Sequence, residues 1–316
     1  MPHVTFIHGI ANKPPPQDLL AIWCRTLTEL HAPLSLDELG VTSSLVYWAD
    51  LLYDQPDLDL AAHEGVLENT PQAIDASGGA AMPVPANPEE AAFLGSLLRK
   101  LTTLSDAEMD RAAASGSAAT AGLAAAGTLE RVPLPWALKK PLMAVLLRDV
   151  HHYLFDKEFG PPGRPKVPIQ QTIRRRFVEV LSDPKIKGPH VVVSHSMGTV
   201  IAYDCLKRVE DCPAVDGLIT IGSPLGLDEI QDKLSPGWSR DDGFPRERVR
   251  GGWRNLFDRL DPVCGFAPEL GKYFRRAGEA AVVDQAVMNT GAWRHSATKY
   301  LRQPAFASAL RELLGL

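Results

Sequence analysis

One serine in this sequence is marked by its neighbours. Val191-Val192-Val193-Ser194-His195-Ser196-Met197-Gly198-Thr199 is an apolar run that enters Ser-x-Ser-x-Gly, and helical sequence follows from Thr199 to Arg208. A chain that turns sharply from strand to helix lifts one hydroxyl above the sheet edge. It tolerates only small side chains two positions before and two after that serine. Ser194 and Gly198 meet this demand, so Ser196 is the expected nucleophile. The helix start beneath it places a positive dipole end near a developing oxyanion. The alternative is a serine that only caps the helix.

A serine hydroxyl is a poor nucleophile near neutral pH. It needs an adjacent base, and the base needs an orienting carboxylate. Where the serine sits on a strand–turn–helix elbow, the chain order is serine, acid, histidine. Of nine histidines only His295 follows Ser196, in a loop beyond the last strand candidate. Asp261 opens Asp-Pro-Val, a turn sequence beyond the strand Trp253–Phe257, and is the preferred acid. Asp258 is closer to the strand and is expected to orient the loop; Asp284, inside the last strand candidate, is the third choice. A tetrahedral intermediate also needs backbone N–H donors. Met197, directly after the serine, supplies one. The second comes from a loop after an earlier strand, which Phe6-Ile7-His8-Gly9-Ile10 fits. His8 either braces that loop or is a satisfied core histidine, and the two readings are compatible.

Together, Phe6-Ile7-His8-Gly9, Ser194-His195-Ser196-Met197-Gly198-Thr199, Gly222-Ser223-Pro224, Asp261-Pro262-Val263 and His295 resemble the lipase-like α/β-hydrolases. The resemblance implies an α/β-hydrolase fold, with a mostly parallel central sheet flanked by helices and no cofactor. It implies that Ile10, after His8-Gly9, is the second oxyanion donor. It also implies a structural role for Ser223. With His-Gly at residue 8, the resemblance implies a core without the first two strands of the larger fold, as in the shortened lipase cores. The expected activity is cleavage of a carboxylic ester, small or lipid-like, through an acyl-enzyme. A thioesterase, an amidase or peptidase, and a non-catalytic scaffold are the alternatives.

The elements that must position these residues are legible in outline. Val4–Ile7 reads as a buried strand, and Leu45–Trp48 as a second. Between them Leu19, Ile22, Trp23, Leu27 and Leu30 keep a helical period behind Pro14-Pro15-Pro16. The alternation then stops from about residue 54 to residue 165. That stretch holds a Pro-rich run at Met82–Pro88, an Ala/Gly-rich segment at Ala112–Gly127, and a helical stripe of Leu138, Leu142, Val145, Leu146, Val150, Tyr153 and Leu154. The expectation is a core of residues 1–53 and 166–316 carrying a mainly helical cap or lid at 54–165, with a structural appendage or a dimer contact as the alternatives. The α/β pattern resumes with a helical face at Ile169, Ile173, Phe177 and Leu181. Strands follow at Pro189–Val193, Gly217–Ile221, Trp253–Phe257 and Ala281–Val283, with a last helix at Pro304–Leu316.

Composition excludes some classes. Across 316 residues, 45% hydrophobic and 22% charged side chains allow a large buried core. A net charge of −5 argues against a nucleic-acid partner. No apolar run reaches the length of a membrane span. The first residues lack the charged and apolar regions of a secretory signal. Cys24, Cys205, Cys212 and Cys264 are irregularly spaced and suggest buried thiols in a reducing cytoplasm rather than a disulfide or zinc framework. No metal is expected at His151-His152, because adjacent helical side chains diverge. Gly160–Lys166 lacks the ending of a phosphate loop.

Overall fold

A computed structural model of the chain describes residues 1–29, 33–64, 82–102, 136–264, 267–291 and 293–316. The Ala/Gly-rich segment at 112–127, Leu30, and the side chains of Leu138 and Leu142 lie outside the described residues. In chain order, β1 (His3–Ile7) leads to α1 (Pro16–Thr28) and β2 (Thr42–Val46). Among the described residues three α-helices follow: α2 (Leu60–Glu64), α3 (Pro88–Thr102) and α4 (Trp136–Leu154). A two-residue hairpin, β3 (Glu158–Phe159) with β4 (Val167–Pro168), then straddles the expected boundary near residue 165 and leads into α5 (Ile169–Leu181). The chain continues through β5 (His190–His195), α6 (Met197–Arg208), β6 (Val215–Ile221), α7 (Asp228–Leu234) and β7 (Val249–Phe257). A second small hairpin pairs β8 (Arg275–Arg276) with β9 (Glu279–Ala280). Strand β10 (Val282–Ala286), α8 (Ala297–Leu301) and α9 (Pro304–Leu314) close the chain.

The central sheet has six strands in the order β10-β7-β6-β5-β1-β2. Every pairing in it is parallel. Both faces of a parallel sheet must be covered, and the central strand β5 shows this as the apolar run Val191-Val192-Val193. Val191 and Val193 face one core with Leu19, Trp23 and Phe306, whereas Val192 faces the other with Ile173, Phe177 and Val200. Thus α1 and α9 cover one side while α5 and α6 cover the opposite side. The second strand differs from its sequence reading: it runs over Thr42–Val46, and Tyr47-Trp48 lie beyond it. The Trp48 amide is taken by the His8 ring (3.0 Å) instead of a strand neighbour.

The order of strands decides where a site can form. From β1 the chain moves to β2 on one side, but from β5 it moves to β6 on the other. The carboxyl ends of β1 and β5 therefore open a crevice at the point where the winding reverses, the usual ligand position in open α/β sheets. Ile7 lies opposite Ser194 in register, so the segments after both strands meet there. Among the described residues no helix is long and apolar enough to cross a membrane.

Candidate active site

Ser196 sits between β5 and α6 with φ 54° and ψ −128°. Such a backbone is strained for a residue with a Cβ, and it persists only where surrounding packing fixes it. The packing is visible on both sides. A Cβ on Gly198 would come within 2.6 Å of the His8 carbonyl oxygen, and one on Gly9 within 2.6 Å of the Ser196 Cβ. Glycine is thus required where the two segments cross. Ser194, at the first small position of the elbow, donates its hydroxyl to the Ile219 carbonyl (3.0 Å) on β6.

The imidazole of His295 lies against this serine, with Nε2 2.7 Å from Ser196 Oγ. Its Nδ1 is 2.8 Å from Asp261 Oδ2. Because the carboxylate can only accept, Nδ1 carries the proton and Nε2 is free to accept from the serine. All three side chains are buried. Burial alone would raise the Asp261 pKa, but the His295 charge, hydrogen bonds from His295 and Tyr300, and the Val263 N–H overcome it and hold the carboxyl at about 2.

The other two carboxylates lie elsewhere. Asp258 accepts from the Asn289 N–H (2.7 Å) and Arg294 Nη1 (3.1 Å), and so ties down the loop that carries His295. Asp284 accepts from Asn255 and from the amides of Leu270 and Gly271 on the far edge of the sheet. Ser223 accepts from the Leu225 N–H and pairs with the Thr199 hydroxyl, within the packing below the elbow.

The loop after β1 is built around His8. Its Nδ1–H donates to the Gly9 carbonyl (2.8 Å), and Nε2 accepts from the Trp48 amide. Its ring stacks on the Trp48 indole with centroids 4.8 Å apart. Burial, with the Lys13 charge nearby, pushes this imidazole well below its ordinary range and keeps it neutral. The Lys13 ammonium donates to the carbonyls of Ile10, Ala11 and Asn12. Burial lowers its pKa to about 8 against the pull of Asp149 and Asp57. Ala11 takes a left-handed backbone, φ 70°, and its N–H donates to Asp149 Oδ2 (2.9 Å) on α4. Ile10 and Met197 both border an apolar cavity that reaches Ser196.

Four participants carry no role in the sequence reading. His195 donates Nε2–H to the His295 carbonyl (2.8 Å), and the two rings are 4.8 Å apart. Burial, then the neighbouring His295, depress its pKa well below the usual value. Tyr300 donates to Asp261 Oδ2 (2.7 Å) and accepts the Asp258 N–H (3.1 Å), linking the two aspartates. Asp149 accepts the Ala11 N–H and Lys13 donates to the carbonyls of Ile10, Ala11 and Asn12, so both tie down the loop after β1. Of these, only His195 has a local signal, its place directly before the serine. The others depend on contacts between segments far apart in the chain.

His151 pairs with the buried Glu90 (2.9 Å), and the His152 ring packs edge-on against Phe159. Among the described residues no group of three or more His, Cys, Asp or Glu side chains could hold a metal ion. The four cysteines are free thiols.

No family model matches the chain, and no curated protein matches it. Among solved structures, an uncharacterized protein from Pseudomonas aeruginosa is similar at a TM-score of 0.31 and 9% sequence identity, over 91% of this chain and 40% of that one. This chain thus spans less than half the length of that neighbour.

Proposed function

We propose that this protein is a serine hydrolase of the α/β-hydrolase type that cleaves carboxylic esters through an acyl-enzyme. The observation that carries the proposal is the unbroken relay from Ser196 Oγ to His295 Nε2 (2.7 Å) and from Nδ1 to Asp261 (2.8 Å), at the crevice where the sheet reverses its winding. The steps follow from the donors and acceptors present. Ser196 Oγ attacks the ester carbonyl carbon while its proton passes to His295 Nε2. The carbonyl oxygen takes the negative charge and is met by the Ile10 and Met197 N–H groups. Asp261 stays ionised and stabilises the imidazolium. The intermediate collapses and the C–O bond to the alcohol breaks, as His295 returns the proton to the leaving oxygen. Water, deprotonated by the same imidazole, then attacks the acyl-serine and frees the acid.

Helices α3 and α4 of the insertion supply Leu97, Leu146 and Val150 to the wall beside Ser196. This supports a covering role for the insertion. The described part of α4 is bolted to the core: Tyr153 donates to Asp204 (2.6 Å), and Asp149 accepts from Ala11 and Tyr53. In this reading the helix is a fixed wall of the site.

A fluorophosphonate probe tests the proposal. Labelling of the wild type and its loss in Ser196→Ala are the expected results. Equal labelling of both proteins, or no labelling and no hydrolysis of any ester by the wild type, would refute it.

A further inference from the structure

Ser196 opens onto two cavities of different character, and their chemistry separates the two halves of a substrate. One is about 20 Å³ and is walled by Leu97, Leu146, Val150, Leu227, Ile230 and Val263, with Met197 at its edge. Among its described lining residues the Ser196 hydroxyl is the one polar side-chain group. The other is about 120 Å³ and is more polar. It carries Asn12, Lys13 and His63 together with Trp23, Trp293 and His295.

We infer, resting on the hydrolase reading above, that the substrate is an ester of a short unbranched apolar acid with a larger amphipathic alcohol. Proton delivery fixes the orientation. The leaving oxygen must be protonated by His295 Nε2, and His295 lines the larger cavity but not the smaller. The alcohol therefore occupies the larger cavity, and the acyl chain points into the smaller. Size then limits the acid. A space of about 10–15 Å³ by the same measure holds a single water-sized group. The smaller cavity exceeds that only slightly, which suits an acetyl or propionyl chain. Its walls offer no partner for a charged or hydroxylated acyl group, so a polar acid would lose its hydration without compensation. On the alcohol side, Trp23 and Trp293 provide apolar faces, and Asn12 and His63 provide polar edges. His63 is itself held by Asp57 (2.8 Å).

The test uses the full-length protein and p-nitrophenyl acetate, butyrate and octanoate, with Ser196→Ala as the blank. The expected kcat/KM for acetate exceeds that for octanoate by about tenfold or more, since one methylene at a filled pocket already changes discrimination by about 10–200-fold. Ile230→Ala should move the preference toward butyrate. Val150→Ala serves the same purpose if the first variant does not fold. An octanoate value equal to or above acetate in wild type that still labels at Ser196 would overturn the inference and leave the hydrolase reading intact. No label and no turnover would remove the hydrolase reading and the inference with it. With the acyl group fixed as acetyl, 2-naphthyl acetate should show a lower KM than ethyl acetate; equal values would overturn the alcohol assignment.

Discussion

Replacing Asp149 by Asn isolates the contribution of the inserted helix to the site. The carboxylate is fully buried and accepts four hydrogen bonds: from Ala11 N–H (2.9 Å) and Tyr53 O–H (3.1 Å) on Oδ2, and from Arg148 Nε (3.0 Å) and Nη2 (2.8 Å) on Oδ1. An amide has one acceptor oxygen and one NH2 donor. The two charged Arg148 donors hold the amide oxygen, so the NH2 faces the Ala11 N–H, donor against donor. An unmet buried donor is destabilising by about 1–3 kcal/mol. Arg148 keeps its acceptor, so a stability loss of about 1–3 kcal/mol is expected. The effect on catalysis is separate. Ala11 holds a left-handed backbone that is unfavourable by about 1–2 kcal/mol for a residue with a Cβ. Without its bond to Asp149 it relaxes and moves the neighbouring Ile10 amide. Loss of one oxyanion donor lowers kcat by about 100–1000-fold. The assay compares kcat, KM and thermal melting of Asp149→Asn with those of Tyr53→Phe, which removes a bond to the same carboxylate without touching Ala11. Asp149→Asn should lose kcat with little change in KM, whereas Tyr53→Phe should lose about 1 kcal/mol of stability and keep its kcat. A folded Asp149→Asn protein with kcat within about threefold of wild type would refute the reasoning, as would an equal fall in both variants.

Tyr300→Phe strips a donor from Asp261 and leaves the Asp258 N–H without an acceptor, so melting should show a loss of about 1–3 kcal/mol and kcat should fall roughly tenfold. Stability should also fall as pH drops below about 6.5. Burial, with His3 beside it, lowers the His190 pKa from 6.5 to about 4. Its neutral form is favoured by the fold, so the contribution is complete above the unfolded value and is lost as pH falls through about 4. His190 alone accounts for on the order of 3 kcal/mol across that window. His8 and His195 shift in the same direction, and urea melts at pH 7.5 and pH 5 check the sum; equal midpoints would contradict it. Finally, hydrogen exchange should find the amides of residues 144–154 protected to a degree comparable with β5. Exchange as fast as in an exposed loop would mean that α4 is not bolted down.

Sequence made the elbow and the histidine legible because their constraints are local or ordered along the chain. Ser194 and Gly198 must be small for steric reasons that any strand-to-helix turn imposes. His295 stands out because no other histidine follows Ser196. The acid is harder, since Asp258 and Asp261 lie three residues apart and only the turn between them decides which reaches the imidazole. The Asp258 carbonyl accepts the Asp261 N–H (3.0 Å), and that turn sends one carboxylate to His295 and the other to Asn289. Tyr300 and Asp149 could not be read in advance. Each is an ordinary helical residue, and its role arises from docking against a loop 39 or 138 positions away.

The same long-range contacts bear on how the insertion works. Asp149 and Tyr153 are four residues apart on α4 and so share a face of the helix. One reaches the loop after β1, and the other reaches Asp204, which also accepts from Arg174 (2.7 Å) and Arg208 (3.1 Å). Two positions from each, His151 meets Glu90. Burial works against the Glu90 charge, but the Ala86 N–H, Lys157 and His151 outweigh it and hold the carboxyl at about 2. Swinging α4 away would break two buried carboxylate networks and uncouple α3 as well. Such separation breaks the Ala11–Asp149, Tyr153–Asp204 and His151–Glu90 hydrogen bonds together, each worth about 1.5–3 kcal/mol as a bond to a charged group. A helix fastened in this way is suited to shape a pocket and to hold an oxyanion loop still, and preorganised donors are what a transition state with a developing charge requires. On the proposed hydrolase reading, the insertion contributes to the chemistry through rigidity, and substrate access falls to the side of the site where Asn12, Lys13 and Trp293 line the larger cavity.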